Sequence, residues 1–410
     1  KSPLKLGTFF VRKIKFANNQ QRATIFTYLS SMDLTQYFEA YEPAVSHDVS
    51  RNEGLNSYVD FYDEYFDQDV TSYDIYIVGV QEGRLSLKNE TCAFAPDEIR
   101  NSLYELYQGD WSSKVLDLGN LKLGHKVEDT YVVLEEIVSN LILEDKIVLV
   151  LGGGHDLITP IYKGHCTAGD PLNFASADAY LDFQDGDDYH SRSFLSKLLA
   201  SKEALLSKYT LMGYQTYLCA PKEVNLLEQM DFNLVRLGDV NGNVKEMEPY
   251  LRDVDHLSVD VSVVKSSDSP ANVYASPNGI SAESLCAIMR YAGMSHRLKS
   301  VLLSELNTRL DKNNQSSKVY AQAIWYFIEG FHLRKNDFPD EKLKNFKRFH
   351  VSSDLSELLF YKSMASERWW VELPMNNVAV KRALLPCSFL DYKKALAGVL
   401  SERLLKLVKF

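Results

Sequence analysis

The chain has 410 residues, 45% of them hydrophobic and 24% charged, enough for one large α/β domain with a smaller appended unit and a sizeable core. Its 45 basic and 55 acidic residues leave a net charge of -10, which repels phosphate backbones and anionic lipid and argues against nucleic acid as a partner. The five cysteines (Cys92, Cys166, Cys219, Cys286, Cys387) are scattered and lack Cys-x-x-Cys spacing, so they read as reduced thiols of a cytosolic protein. No apolar run approaches the roughly 20 residues of a bilayer span, and Lys1-Ser-Pro-Leu-Lys5 lacks a signal peptide's apolar core. A soluble cytoplasmic protein with no membrane partner is expected.

Residues 1–73 are rich in aromatics and acids but weakly periodic, and no function is assigned to them. From Asp74, the β-branched run Asp-Ile-Tyr-Ile-Val-Gly-Val predicts a buried strand. Pro96-Asp-Glu-Ile-Arg100 opens a helix running to Tyr107, with acids in its first turn where the dipole favours them. Val115 to Gly119 predicts a strand, Val132 to Leu143 a helix, and Lys146 to Leu151 a second buried strand.

Alternation continues with strands over Leu172 to Ala175, Tyr209 to Met212, Leu234 to Leu237, His256 to Val261 and Ser300 to Leu306. Helices are predicted over Ser193 to Ser207, Ala282 to Ala292 and Val319 to Phe331. This order implies a parallel sheet with helices on both faces over residues 74–331. Residues 332–410 change character: a charged stretch leads to Arg368-Trp-Trp-Val and a capping-box start at Ser388-Phe-Leu-Asp391, ahead of an apolar-periodic helix to Val408. They read as a C-terminal appendage packed on the main domain.

In open parallel sheets chemistry collects outside the carboxyl ends of the strands. Three strings fall there: Gly152-Gly-Gly-His155-Asp156, Asp178-Ala-Tyr180-Leu-Asp182, and Ser258-Val-Asp260-Val-Ser262. Side chains two apart on an extended strand share a side, so Asp178, Tyr180 and Asp182 are expected together, as are Asp260 and Ser262. A metal ion between them would meet mostly hard oxygen donors.

Rival constellations fit less well. Ser258 and Ser262 with His256 form a row along one strand rather than a nucleophile elbow, and Gly152-Gly-Gly lacks dinucleotide-site spacing. Trp369-Trp370 beside Arg368 and Lys362 reads as packing against the main domain.

The order, spacing and strand context of the three strings resemble the ureohydrolases: arginase, agmatinase and formimidoylglutamase. The resemblance implies a three-layer, doubly wound α/β fold, a small-molecule amidine or guanidine substrate, a homo-oligomer, and manganese as cofactor. Carried over by position, His155, Asp178, Asp182 and Asp260 match the ligands of one manganese ion. A second ion would need a His where this chain has Tyr180 and an Asp where it has Ser262, and a phenol and an alcohol are poor donors. The resemblance therefore implies about one ion per chain or none.

His190 lies about where arginases keep a proton-shuttling histidine, and Glu305 resembles the carboxylate that grips the substrate guanidinium, while Gly152-Gly-Gly-His155 resembles the formimidoylglutamase form of the turn. Arg192 and Arg309 are the cations nearest the strings for an anionic substrate. Three readings follow. The first is a formimidoylglutamase-like hydrolase of linear amidines or guanidines, attacking with hydroxide generated at the metal. The second is a weak or inactive relative, a pseudoenzyme acting as a binding or assembly module. In the third, the carboxylates only cap helices and turns.

Overall fold

Runs of aliphatic residues with no polar alternation suit strands covered on both sides. In the computed structural model, which describes residues 34–43, 54–167, 169–184, 188–200, 205–335, 337–339, 344–352, 357–377 and 380–408, such runs form the middle of one sheet. Its strands are β1 (Phe38–Glu39), β2 (Val59–Phe61), β3 (Ile75–Gly79), β4 (Val115–Leu121), β5 (Ile147–Leu151), β6 (Leu172–Ala177), β7 (Leu206–Tyr214), β8 (Asn233–Arg236), β9 (His256–Asp260) and β10 (Ser300–Ser304). The order is β1-β4-β3-β5-β10-β9-β6-β7-β8, with β2 also on β4. Every pairing is parallel except that of β1. The two short strands before residue 74 thus join the same sheet as the rest.

Between strands run α1 (Ala95–Leu103), α2 (Val127–Leu143), α3 (Ile158–Cys166), α4 (Phe194–Ala200), α5 (Pro221–Gln229), α6 (Ala282–Gly293) and α7 (Gln315–His332). Alternation along β5 divides the interior: Ile147, Leu149 and Leu151 pack with α1, α6 and α7, while Val148 and Val150 pack with α2 to α5. The result is a three-layer, doubly wound α/β domain. Among the described residues no helix is long and apolar enough to cross a membrane.

The appendage is mainly an antiparallel sheet, β11 (Phe346–Ser352), β12 (Glu357–Ser363), β13 (Trp369–Asn377) and β14 (Val380–Cys387), followed by α8 (Phe389–Leu396) and α9 (Glu402–Val408). It has its own core around Phe360, Val371 and Leu404. Arg252 of the main domain donates to the Trp369 carbonyl at 2.5 Å and stacks 4.5 Å from the Trp370 ring centroid, so the double Trp does pack against the main domain.

Two helix expectations are corrected. The stretch predicted over Ser193 to Ser207 is helical to Ala200, and its end is already strand β7 from Leu206; residues 201–204 lie outside those described, as does the chain start. The single helix to Val408 is two, parted by Gly398 in the left-handed region at φ 76°, a conformation open to glycine.

Two buried polar networks brace the sheet. Arg100, fully buried, holds Asp117 through Nε at 2.8 Å and Nη2 at 2.9 Å; Tyr104 Oη and the Gly119 N–H also donate to Asp117. Elsewhere the Ser300 hydroxyl lies 2.7 Å from both His165 Nε2 and His256 Nδ1. Burial, reinforced by Lys299 and Arg297, lowers the His165 pKa to about 3, and burial likewise holds His256 well below the ordinary value.

Because the folded pKa of His165 lies below the unfolded value of 6.5, the unfolded chain binds more protons between them, and stability falls as pH falls through that window. Acidification from pH 7.5 to 5 is expected to remove about 2 kcal/mol through His165. His165→Asn should lose that much less over the same interval in guanidinium titrations; parallel losses in the two proteins would contradict the assignment.

Candidate metal centre

The three strings converge at the carboxyl ends of β5, β6 and β9. After β5 the chain turns so closely past residue 82 that a Cβ on Gly153 would stand 1.8 Å from the Glu82 carbonyl oxygen. Only glycine fits there. The turn delivers His155, fully buried.

Strand alternation does not explain the second string. β6 ends at Ala177, and Asp178 accepts the Tyr180 N–H at 2.9 Å in a tight turn. Asp182, at φ 49°, then turns its carboxylate back toward His155. In the third string Asp260 ends β9 and accepts the Ser262 N–H at 2.7 Å, so the expected shared strand side is replaced by a helical turn. The Ser262 hydroxyl still donates to Asp178, at 3.2 Å.

One donor atom from each of His155, Asp178, Asp182 and Asp260 lies within 4.8 Å of the others, and all four residues are buried. His155 Nδ1 is 2.9 Å from Asp182, 3.4 Å from Asp178 and 3.8 Å from Asp260. Nε2 lies 2.9 Å from the Ser258 hydroxyl, itself 2.7 Å from Ser176. That outer contact orients the ring so that Nδ1 faces the carboxylates. Ser258 was legible as a neighbour of Asp260 on the same strand side; Ser176 was not.

Crowded buried carboxylates without enough positive charge resist ionisation. Burial, then Asp182, raises the Asp178 pKa, and burial, then Asp178 and Glu305, raises that of Asp260. Burial opposes charge on His155, yet Asp178 and Asp182 outweigh it and hold its pKa well above the ordinary value. Four convergent donors in an anionic, buried pocket fit a divalent cation with hard-oxygen preference. The Tyr180 and Ser262 positions do not supply a second ion's ligands of equal quality.

The remaining site candidates are placed as follows. Glu305, at φ 64° and 4% exposed, accepts the His155 N–H at 2.9 Å on Oε1, and Ser86 Oγ at 2.6 Å and Asn89 Nδ2 at 2.7 Å on Oε2. Ser86 and Asn89 carried no motif signal. His190, half-buried, caps a turn through Nδ1, which accepts the Arg192 N–H at 3.2 Å. Arg309 donates its backbone N–H to Asn307 and makes no ion pair with Glu305 among the described residues.

Arg192 enters the site instead. Its guanidinium lies 3.6 Å from the Tyr180 ring centroid and 4.7 Å from that of Tyr274, with Nε 3.7 Å from Asp182. Beside His155, Asp156 is buried with its carboxyl pushed up to about 7 by burial; Tyr131 donates to one of its oxygens.

A doubly wound sheet carrying this donor cluster at its carboxyl edge is the architecture of an α/β protein with a metal-capable centre. The arginase family model matches residues 73–329, and the chain belongs to the arginase family. It resembles the formimidoylglutamases within it. Its similarity to "Formimidoylglutamase" of Klebsiella pneumoniae is 24% identity over 272 residues, 62% of this chain and 84% of the relative. For the protein of that name from Lysinibacillus sphaericus it is 21% over 258 residues, 60% and 78%. Formimidoylglutamase of Bacillus subtilis superposes with a TM-score of 0.63 at 18% identity, covering 72% of this chain and 97% of that one. Trypanosoma cruzi formiminoglutamase with Mn2+ superposes at 0.60 and 21%, covering 65% and 96%.

Proposed function

We propose that the chain hydrolyses a carbon–nitrogen bond of a small linear amidine, in the manner of a formimidoylglutamase, using one manganese ion held by His155, Asp178, Asp182 and Asp260. The observation that carries this is the buried convergence of those four donors within 4.8 Å. The names of the similar proteins and the Mn2+ of the Trypanosoma cruzi structure support substrate class and metal. Bound there, the ion supplies the Lewis acidity that makes water a competent nucleophile near neutral pH. By the same resemblance the protein works as a homo-oligomer in the cytoplasm, to which its five free cysteines are suited.

The chain's own residues do the rest. Ser258 fixes the His155 ring, and Ser262 steadies Asp178. His190, its pKa lowered by burial and then by Arg192, is neutral near pH 7; with Nδ1 accepting the Arg192 N–H its ring proton sits on Nε2, so in moving protons Nε2 is the donor and Nδ1 takes one only by giving up that bond. Three donated hydrogen bonds leave about one of the four acceptor positions of Glu305. Its role is therefore a single contact to the substrate amidinium together with support of the His155 turn.

The second reading, a binding module without turnover, is favoured by one observation, the Arg192 guanidinium stacked on the Tyr180 ring and set beside Asp182. Manganese-loaded protein assayed with formimidoylglutamate, agmatine and arginine separates the two. Formamide release from formimidoylglutamate, abolished by chelation and restored by manganese, is expected; loaded protein that releases no formamide, urea or ammonia would sink the hydrolase reading.

A further inference from the structure

We infer that Arg192 is the second cation of this site, supplying from the chain itself the positive charge that a second metal ion would otherwise bring. The inference rests on the metal centre proposed above but not on its hydrolytic activity. Asp178, Asp182 and Asp260 present three negative charges to one buried space. One divalent ion and one guanidinium balance them, and His155 is then neutral as a ligand. A second divalent ion would leave an excess of two positive charges in a largely buried place, before counting any further donor.

Geometry puts Arg192 in that role. Its Nε stands 3.7 Å from Asp182, the side chain is 14% exposed, and Nε is buried with no hydrogen-bond partner. An Arg held to satisfy its own donors would not leave one unpaired facing acids. The Tyr180 and Tyr274 rings grip the planar group instead, fixing where the charge sits without neutralising it. Tyr180 therefore has a positive task, as a platform for a cation rather than a lost ligand. Ser262 fits the same scheme: a carboxylate there would add a negative charge that Arg192 and one ion do not offset, whereas its hydroxyl donates to Asp178.

The test reads metal, not turnover. Wild-type protein equilibrated with manganese and freed of excess is expected to hold one ion per chain by elemental analysis. Its electron paramagnetic resonance should show an isolated ion without exchange coupling. Removing the local charge in Arg192→Gln should tighten manganese binding roughly tenfold or more in calorimetry, because a like charge has left the site, while Arg192→Lys should stay within about threefold of wild type. Two exchange-coupled ions in the wild type, or unchanged or weaker binding in Arg192→Gln when Arg192→Lys binds normally, would overturn the inference. One ion without amidine hydrolysis would support it and sink only the proposed activity; two ions with hydrolysis would do the reverse. No bound ion would overturn both.

Discussion

Asp260→Asn is expected to lower manganese affinity by more than about 100-fold, since even outer contacts to metal ligands are worth 10- to 100-fold. The same change should leave the metal-free protein as stable as wild type or more so. Asp260 is a buried carboxyl whose ionisation is opposed by burial, Asp178 and Glu305, and an amide of the same shape relieves that crowding. Its Oδ1 accepts the Ser262 N–H, and an amide oxygen can accept in its place. The two effects have opposite signs. Manganese at 100 times its dissociation constant should stabilise the wild type by about 2.7 kcal/mol and the variant hardly at all. Thermal melts with and without manganese read both effects. A metal-free variant that melts several degrees below wild type would show that Asp260 holds the fold rather than a cation.

Asp117→Ala should cost about 3–5 kcal/mol, because it leaves the fully buried Arg100 guanidinium without its charge partner. Arg100 retains hydrogen bonds to the Gly119 carbonyl at 2.8 Å and Asn120 Oδ1 at 2.6 Å, but only Asp97, at 3.4 Å and partly exposed, remains as an anion. The network ties α1 to β4 and lies against β3, where a Cβ on Gly79 would stand 2.6 Å from Arg100 Nη1, so the guanidinium has no room to move toward that strand. The double variant Arg100→Met with Asp117→Leu should recover much of the loss. Urea unfolding of the three proteins gives the comparison; a single-variant loss below about 1 kcal/mol would mean that the pair is not the brace described.

Much of the sheet was legible because its strands are buried on both faces: Ile75 to Gly79 and Ile147 to Leu151 read as strands without reference to anything distant. The helix-strand order then implied parallel pairing and put the three strings at one edge. What sequence could not supply was the path between them. Asp182 reaches His155 through a left-handed residue beyond the strand end, not through alternation. Tyr274 meets Arg192 across 82 positions of chain, and nothing local in either residue announces the pairing. In the appendage the paired tryptophans lie within strand β13 itself, where adjacent aromatics hide the two-residue alternation of a strand. The weak two-residue rhythm of Phe346 to Ser352 reflects a strand whose one neighbour is β12.

Asp182 and Glu305 adopt backbone angles that glycine adopts freely and other residues adopt at a cost of order 1–3 kcal/mol each. Both positions are open to relief by a single substitution, and natural chains have little stability to spare. Strain of this size, held at two buried acidic residues of one pocket, follows the pattern of functional sites, where such backbone angles cluster.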